Sequence, residues 1–180
     1  MARIPLPTRA SLTDDALVQR WDRLAERGPV LNVLRLFMAN PAIELNAFQV
    51  WRASGLAPRA REIVILRCAY TQQSTYEWHQ HVRIALGEGL TRAEINAVHD
   101  WQGSTLFSEG ERVLLAYVDE LAASARPSDE VFAAFARGRS DGEILGVTVL
   151  ITLYFQLARI MAALDLETEE QFVGWDVAAQ

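Results

Sequence analysis

Apolar residues recur along this chain at helical spacing, and the two-residue alternation of a strand is absent. Between Leu12 and Arg27 they fall at Leu17, Val18, Trp21 and Leu24, and Gly28-Pro29 ends the run. Val30 to Met38 is a second run, stopped by Asn40-Pro41, and Ala42 to Ala53 is a third, stopped by Gly55. Pro58 suits a first helical turn. In the run from Arg59 to Thr71, Ile63, Val64, Ile65 and Leu66 are consecutive and point all round the axis, which predicts a central helix. Ser74 opens the next helix, which runs to Leu86 and ends at Gly87-Glu88-Gly89.

The polar positions mark helix starts. Thr91-x-x-Glu94, Ser108-x-x-Glu111 and Ser140-x-x-Glu143 are capping boxes ahead of three further helices. Pro127-Ser128 precedes another, holding Val131, Phe132 and Phe135. The predicted architecture is an all-α bundle in a single domain, residues 1–180, with no division at Ala123 to Pro127. The stretch Ile144 to Leu164 is long enough to span a bilayer. Gln156 and Arg159 interrupt it and it has no companion, so the buried middle of a bundle or an oligomer is the expected place for it. Thr148, Thr152, Gln156 and Arg159 form one polar stripe on that helix. If buried, the stripe either faces a site where Arg159 holds a substrate carboxylate, or belongs to an internal or inter-subunit network.

Charge narrows the partners. The net charge is −6, which disfavours nucleic acid. All 17 basic residues are arginine, which removes lysine Schiff-base and lysine general-base chemistry. Cys68 is the single cysteine, so no intramolecular disulfide forms, and no apolar segment of signal type stands near Met1. The expectation is a cytoplasmic protein acting on a small molecule, with no membrane or nucleic-acid partner.

One constellation could carry chemistry. Glu77 and His81 are four apart and share a helix face that continues through Ile84 and Ala85. Burial raises a carboxyl pKa and lowers an imidazole pKa, bringing both towards proton transfer near neutrality. Glu62 lies at the start of the preceding helix, within possible reach across the Gln72-Gln73 connection. Plainer roles compete. Ser74-x-x-Glu77 is itself a capping box, Glu77 and His81 suit a surface pair, and Glu62 suits a helix N-terminus. A zinc site would need a third ligand, which His79 and His99 are badly placed to supply.

The segment LAPRAREIVILRCAYTQQSTYEWHQHVRIALGEGLTRAEINAV resembles the core of the carboxymuconolactone decarboxylase and alkylhydroperoxidase-D-like (AhpD-like) family, over about residues 56–98. Glu62, His81 and Gly89-Leu90-Thr91-Arg92-Ala93-Glu94-Ile95 carry the likeness, and residues 1–55 add an N-terminal helical extension. The resemblance implies an AhpD-like helical bundle, assembled as a homo-oligomer, a trimer or a hexamer. The peroxidase branch carries a C-x-x-C pair at positions held here by Ser74 and Glu77, so its dithiol chemistry is not expected. The decarboxylase branch has a glutamate four residues before the histidine, as here. It implies cofactor-free, metal-free decarboxylation or proton transfer on a small carboxylated lactone or related acid. Glu62, Glu77 and His81 would be catalytic, with Ser74, Tyr76, Trp78 and Arg159 about the substrate. Thiol peroxidase activity and non-catalytic small-molecule binding are the alternatives.

Overall fold

The consecutive apolar residues Ile63 to Leu66 lie, as their pattern predicts, in a helix enclosed on every side. The computed structural model describes residues 2–40, 42–43, 47–169 and 172–177. The described residues contain helices and no strand: α1 (Asp15–Ala25), α2 (Asn32–Met38), α3 (Ala47–Ala53), α4 (Pro58–Thr71), α5 (Thr75–Gly87), α6 (Arg92–Ala97), α7 (Glu109–Ala123), α8 (Asp129–Ala136) and α9 (Asp141–Ala163), with short 3₁₀ turns at Arg9–Ser11 and Trp101–Gly103. Pro41 and the 44–46 part of the third predicted run lie outside the described residues.

Every residue of α4 from Glu62 to Ala69 is buried. Two cores meet on it. Ile63, Leu66 and Ala69 pack into one with Trp78 and Val82 of α5 and Leu115 of α7. Val64, Ile65 and Cys68 pack into another with Leu114 and Val118 of α7, Phe135 of α8 and Leu150 and Ile151 of α9. Burying each such large side chain contributes roughly 1.5–3 kcal/mol, so this helix is the principal anchor of the bundle. Gln73 takes a left-handed φ of 53°, Ser74 N–H donates to the Ala69 carbonyl at 2.9 Å, and the chain reverses within three residues. Helix α5 is thereby laid directly along α4.

The three predicted capping boxes form. Thr91, Ser108 and Ser140 each accept from the backbone N–H three residues on, and Glu94, Glu111 and Glu143 each return a bond to the cap. Arg59 then joins two of them, donating to Glu94 and Glu111 at 2.7 and 2.8 Å, which fixes the start of α4 against α6 and α7.

Helix α9 is the one helix among the described residues long and apolar enough to cross a membrane by length and composition; half of that apolar window is buried against the rest of the chain. Its polar stripe lies away from α5: Thr148 is half-buried, with its hydroxyl 2.9 Å from the Tyr117 hydroxyl, and the other three residues face the outer surface of this chain. Thr152, Gln156 and Arg159 are exposed, and the Thr152 hydroxyl merely donates back to the Thr148 carbonyl at 2.9 Å. An amphipathic helix turns such a stripe to water by default. Gly146 sets the other face: a Cβ there would collide with the Ala53 carbonyl, so only glycine lets the end of α3 pack this closely on α9.

Candidate active site

Helix α5 presents Glu77 and His81 one turn apart, and α4 presents Glu62 opposite them. All three are buried, at 0% exposed for Glu62, 3% for Glu77 and 6% for His81. Glu62 Oε2 lies 2.7 Å from His81 Nδ1, and Glu62 Oε1 accepts from Arg61 Nε at 2.9 Å. Burial alone would push the Glu62 carboxyl up; hydrogen bonding and charge from His81, then from Arg61, outweigh it and hold the carboxyl below its usual value. Glu62 is therefore the ionised member, and His81 Nδ1 carries the proton of the shared bond. The second ring nitrogen, Nε2, is left to act as base or acid.

Glu77 is the opposite case. Its two oxygens are buried and neither makes a hydrogen bond of standard geometry among the described residues. Burial pushes its carboxyl well above the ordinary carboxylate range; the neighbouring Ser74 hydroxyl offsets this only in part. Ser74 is the N-cap of α5, yet its side chain makes no capping bond. The fourth capping box that the sequence offers thus does not form. Two carboxyls in one site are driven apart by their surroundings, one held below its usual range and one pushed well above it, the arrangement that separates acid from base roles.

A cavity of about 150 Å³ adjoins these residues. Its walls are Leu31, Val33 and Leu34 at the start of α2, Trp51 of α3, Tyr76, Glu77, Gln80, His81 and Ile84 of α5, and Tyr154, Leu157 and Met161 of α9. The close α3–α9 contact at Gly146 brings Trp51 to Tyr154, where the indole Nε1 donates to the phenol oxygen at 2.9 Å. Tyr154 and Trp51 both meet the His81 ring edge-on, with centroids 5.1 and 6.1 Å away. Arg61 stacks over Trp51 at 4.6 Å. Burial pushes the Tyr154 phenol far up, so it stays an O–H donor.

The C-terminal segment closes one side. Glu169 accepts from the Tyr76 hydroxyl at 2.6 Å and from Gln80 Nε2 at 2.5 Å, and also from the backbone N–H of Asn32. The start of α2 is thereby tied over α5 at the cavity wall.

Of the residues singled out from the sequence, Glu62, Glu77, His81 and Tyr76 are brought together, and Ser74 stands beside Glu77. Trp78 is not at the cavity. It is fully buried in the core and its Nε1 donates to the Gly174 carbonyl at 2.8 Å. Arg159 is not there either; it lines a groove on the outer surface with Thr152 and Gln156. Trp51, Gln80, Tyr154 and Glu169 were missed. Only Tyr154 had a local signal: a phenol on the inward stripe of an apolar helix needs a polar partner.

Residues 40–120 match the model of the carboxymuconolactone decarboxylase family. No curated protein matches the chain. Among solved structures, an Agrobacterium tumefaciens protein of unknown function, likened to the antioxidant defence protein AhpD, is 26% identical; the match covers 69% of this chain and 87% of that one, with a TM-score of 0.64. An uncharacterized peroxidase-related protein with an AhpD core, from Ralstonia eutropha JMP134, is 19% identical over 99% of this chain and 98% of its own, with a TM-score of 0.79. A single-residue variant of the debrominase Bmp8, in complex with 2,3,4-tribromopyrrole, is 16% identical over 94% of each chain, with a TM-score of 0.73.

Proposed function

We propose that this chain, whose residues 40–120 match the carboxymuconolactone decarboxylase family and whose fold is AhpD-like, is an enzyme of the lyase or isomerase class that moves a proton to or from carbon on a small molecule held in the α2–α3–α5–α9 cavity. One observation carries this. A histidine hydrogen-bonded to a carboxylate, His81 to Glu62, stands on the wall of an apolar cavity beside a buried Glu77 that has no standard hydrogen bond among the described residues.

The chemistry follows from the protonation states. His81 Nε2 takes a proton from carbon next to a carbonyl, the C–H electron pair moves into the carbon–carbon bond, and the carbonyl oxygen gains charge. The Glu77 carboxyl, pushed by burial towards its protonated form, donates its O–H to that oxygen. Glu62 stabilises the imidazolium that forms and fixes the ring. Return of the proton to the same or another carbon completes the cycle. Decarboxylation, which the family's name implies, would use the same residues to protonate the carbanion left by carbon dioxide. It would also call for a cation at the departing carboxylate, a role for which Arg159 is placed on the outer surface.

Thiol peroxidase chemistry is less well supported. It needs a reachable thiolate, whereas Cys68 is fully buried and burial drives its thiol well up. The exposed Leu145 and Val149 on the outer face of α9 support a homo-oligomer, a trimer or hexamer as the resemblance implies.

Solvent deuterium incorporation at carbon tests the proposal, followed by NMR over a panel of small ring ketones and lactones. Wild type should exchange at least one of them above the buffer rate, and His81→Ala should lose about 100-fold or more. No exchange on any member, or equal rates in the two proteins, would overturn it.

A further inference from the structure

The cavity has a chemical character beyond its proton-transfer residues. None of the described wall residues is cationic. Two neighbouring guanidiniums are committed elsewhere. Arg61 donates to Glu62 and covers Trp51 from outside the cavity, and Arg83, itself exposed, donates to Gln80 Oε1 at 2.8 Å. Several neutral donors are spent too. Gln80 Nε2 and the Tyr76 hydroxyl both donate to Glu169.

Two hydrogen-bond donors remain on the wall. The Glu77 carboxyl, buried to 3% exposure, makes no hydrogen bond of standard geometry among the described residues. The Tyr154 hydroxyl accepts from Trp51 Nε1, so its own proton is available to donate. Around them are Leu31, Val33, Leu34, Ile84, Leu157 and Met161. An anion placed here would lose its water, gain no counter-charge, and face the ionised Glu62 just behind His81. A neutral acceptor would instead complete the bonding of a buried donor. A cavity of about 150 Å³ holds a single six-membered ring.

We propose that this cavity selects an uncharged, ring-sized molecule bearing one hydrogen-bond acceptor, a ring ketone or lactone without a free carboxylate, whose carbonyl oxygen is received by Glu77 and Tyr154. The assignment rests on the proton-transfer proposal for the purpose of that carbonyl, and it departs from the carboxylated lactone that the family resemblance implies.

Three probes of one shape separate the possibilities: cyclohexanone, methylenecyclohexane, which lacks the acceptor, and cyclohexanecarboxylate, which adds the charge. Dissociation constants are measured by ligand-observed NMR at neutral pH on the full chain. Cyclohexanone should bind about tenfold or more tighter than either of the others, the scale of one hydrogen bond to a buried donor. Glu77→Leu should reduce its advantage over methylenecyclohexane, leaving only the share that Tyr154 supplies, while Glu77→Gln, which keeps a donor, should retain most of it. Carboxylate binding as tight as the ketone, no preference for the acceptor, or no binding by any of the three would overturn the assignment. Failure of the proton-transfer proposal looks different: the same order of affinities, with no deuterium incorporated at carbon.

Discussion

Four helices of this chain begin with the same signature, a serine or threonine followed three residues later by glutamate, and one of the four behaves differently. At α6, α7 and α9 the glutamate closes on its own cap, and Glu94, Glu111 and Glu143 all sit below the usual carboxylate range. For Glu94, bonding to Arg59 brings it down to about 2. At α5 the glutamate stays beside Ser74 but returns no bond to the cap; it lies in a buried wall, takes no standard hydrogen bond among the described residues and is pushed up. The helix start is formed either way, because α5 is held by burial against α4 rather than by its cap. The difference shows how packing against a neighbouring helix makes a capping bond dispensable and leaves its glutamate free of the cap.

The largest expected effect is on activity. Glu62→Ala and His81→Ala should each lower proton transfer by about 10²–10⁴-fold, the range of lost general-base catalysis, whereas Glu111→Ala should leave the rate of the folded protein within about twofold, since a cap away from the cavity does not act in the chemistry. Steady-state exchange rates on proteins of matched circular dichroism decide this. Next comes the α3–α9 contact. Gly146→Ala should cost about 1–3 kcal/mol by forcing the Ala53 carbonyl away, and it should quench or shift Trp51 fluorescence as the indole leaves Tyr154. Smaller still is the capping contrast. Ser108→Ala should cost about 1 kcal/mol in urea unfolding and Ser74→Ala only a few tenths, because only the former loses a capping bond.

The pH dependence of stability should also split the two kinds of glutamate. Glu77 has a raised carboxyl in the fold, so its contribution is whole below its unfolded value near 4.5 and is lost as pH climbs towards the folded value. Glu94 is depressed to about 2, so its contribution is whole above 4.5 and is lost as pH falls towards 2. Urea midpoints against pH should therefore lose their upper slope in Glu77→Gln and part of their lower slope in Glu94→Gln.

Much of the architecture was legible because its causes are local. Pro58, the all-round apolar run of α4, the three closing boxes and the Gly89 stop each act within a few residues. The Glu62–His81 pair spans 19 residues and one tight reversal, and the family resemblance pointed to it where spacing alone could not. Trp51 and Tyr154 meet across about a hundred residues through a glycine contact, and Glu169 reaches back to α2 and α5 from near the C-terminus; no local pattern announces such pairs. Arg159 lies in an outer groove of the chain with Thr152 and Gln156, because which way a helix turns its polar stripe is set by the packing of its neighbours and not by the spacing within it.

Infrared difference spectroscopy of the carboxyl carbonyl band in wild type and Glu77→Gln, at neutral pH, goes most directly to the opposed charge states of the two site glutamates. A protonated carboxyl band present in wild type, absent from Glu77→Gln and retained in Glu62→Gln, is the predicted result. A wild-type spectrum without that band, or with a band that disappears when Glu62 rather than Glu77 is changed, would contradict it.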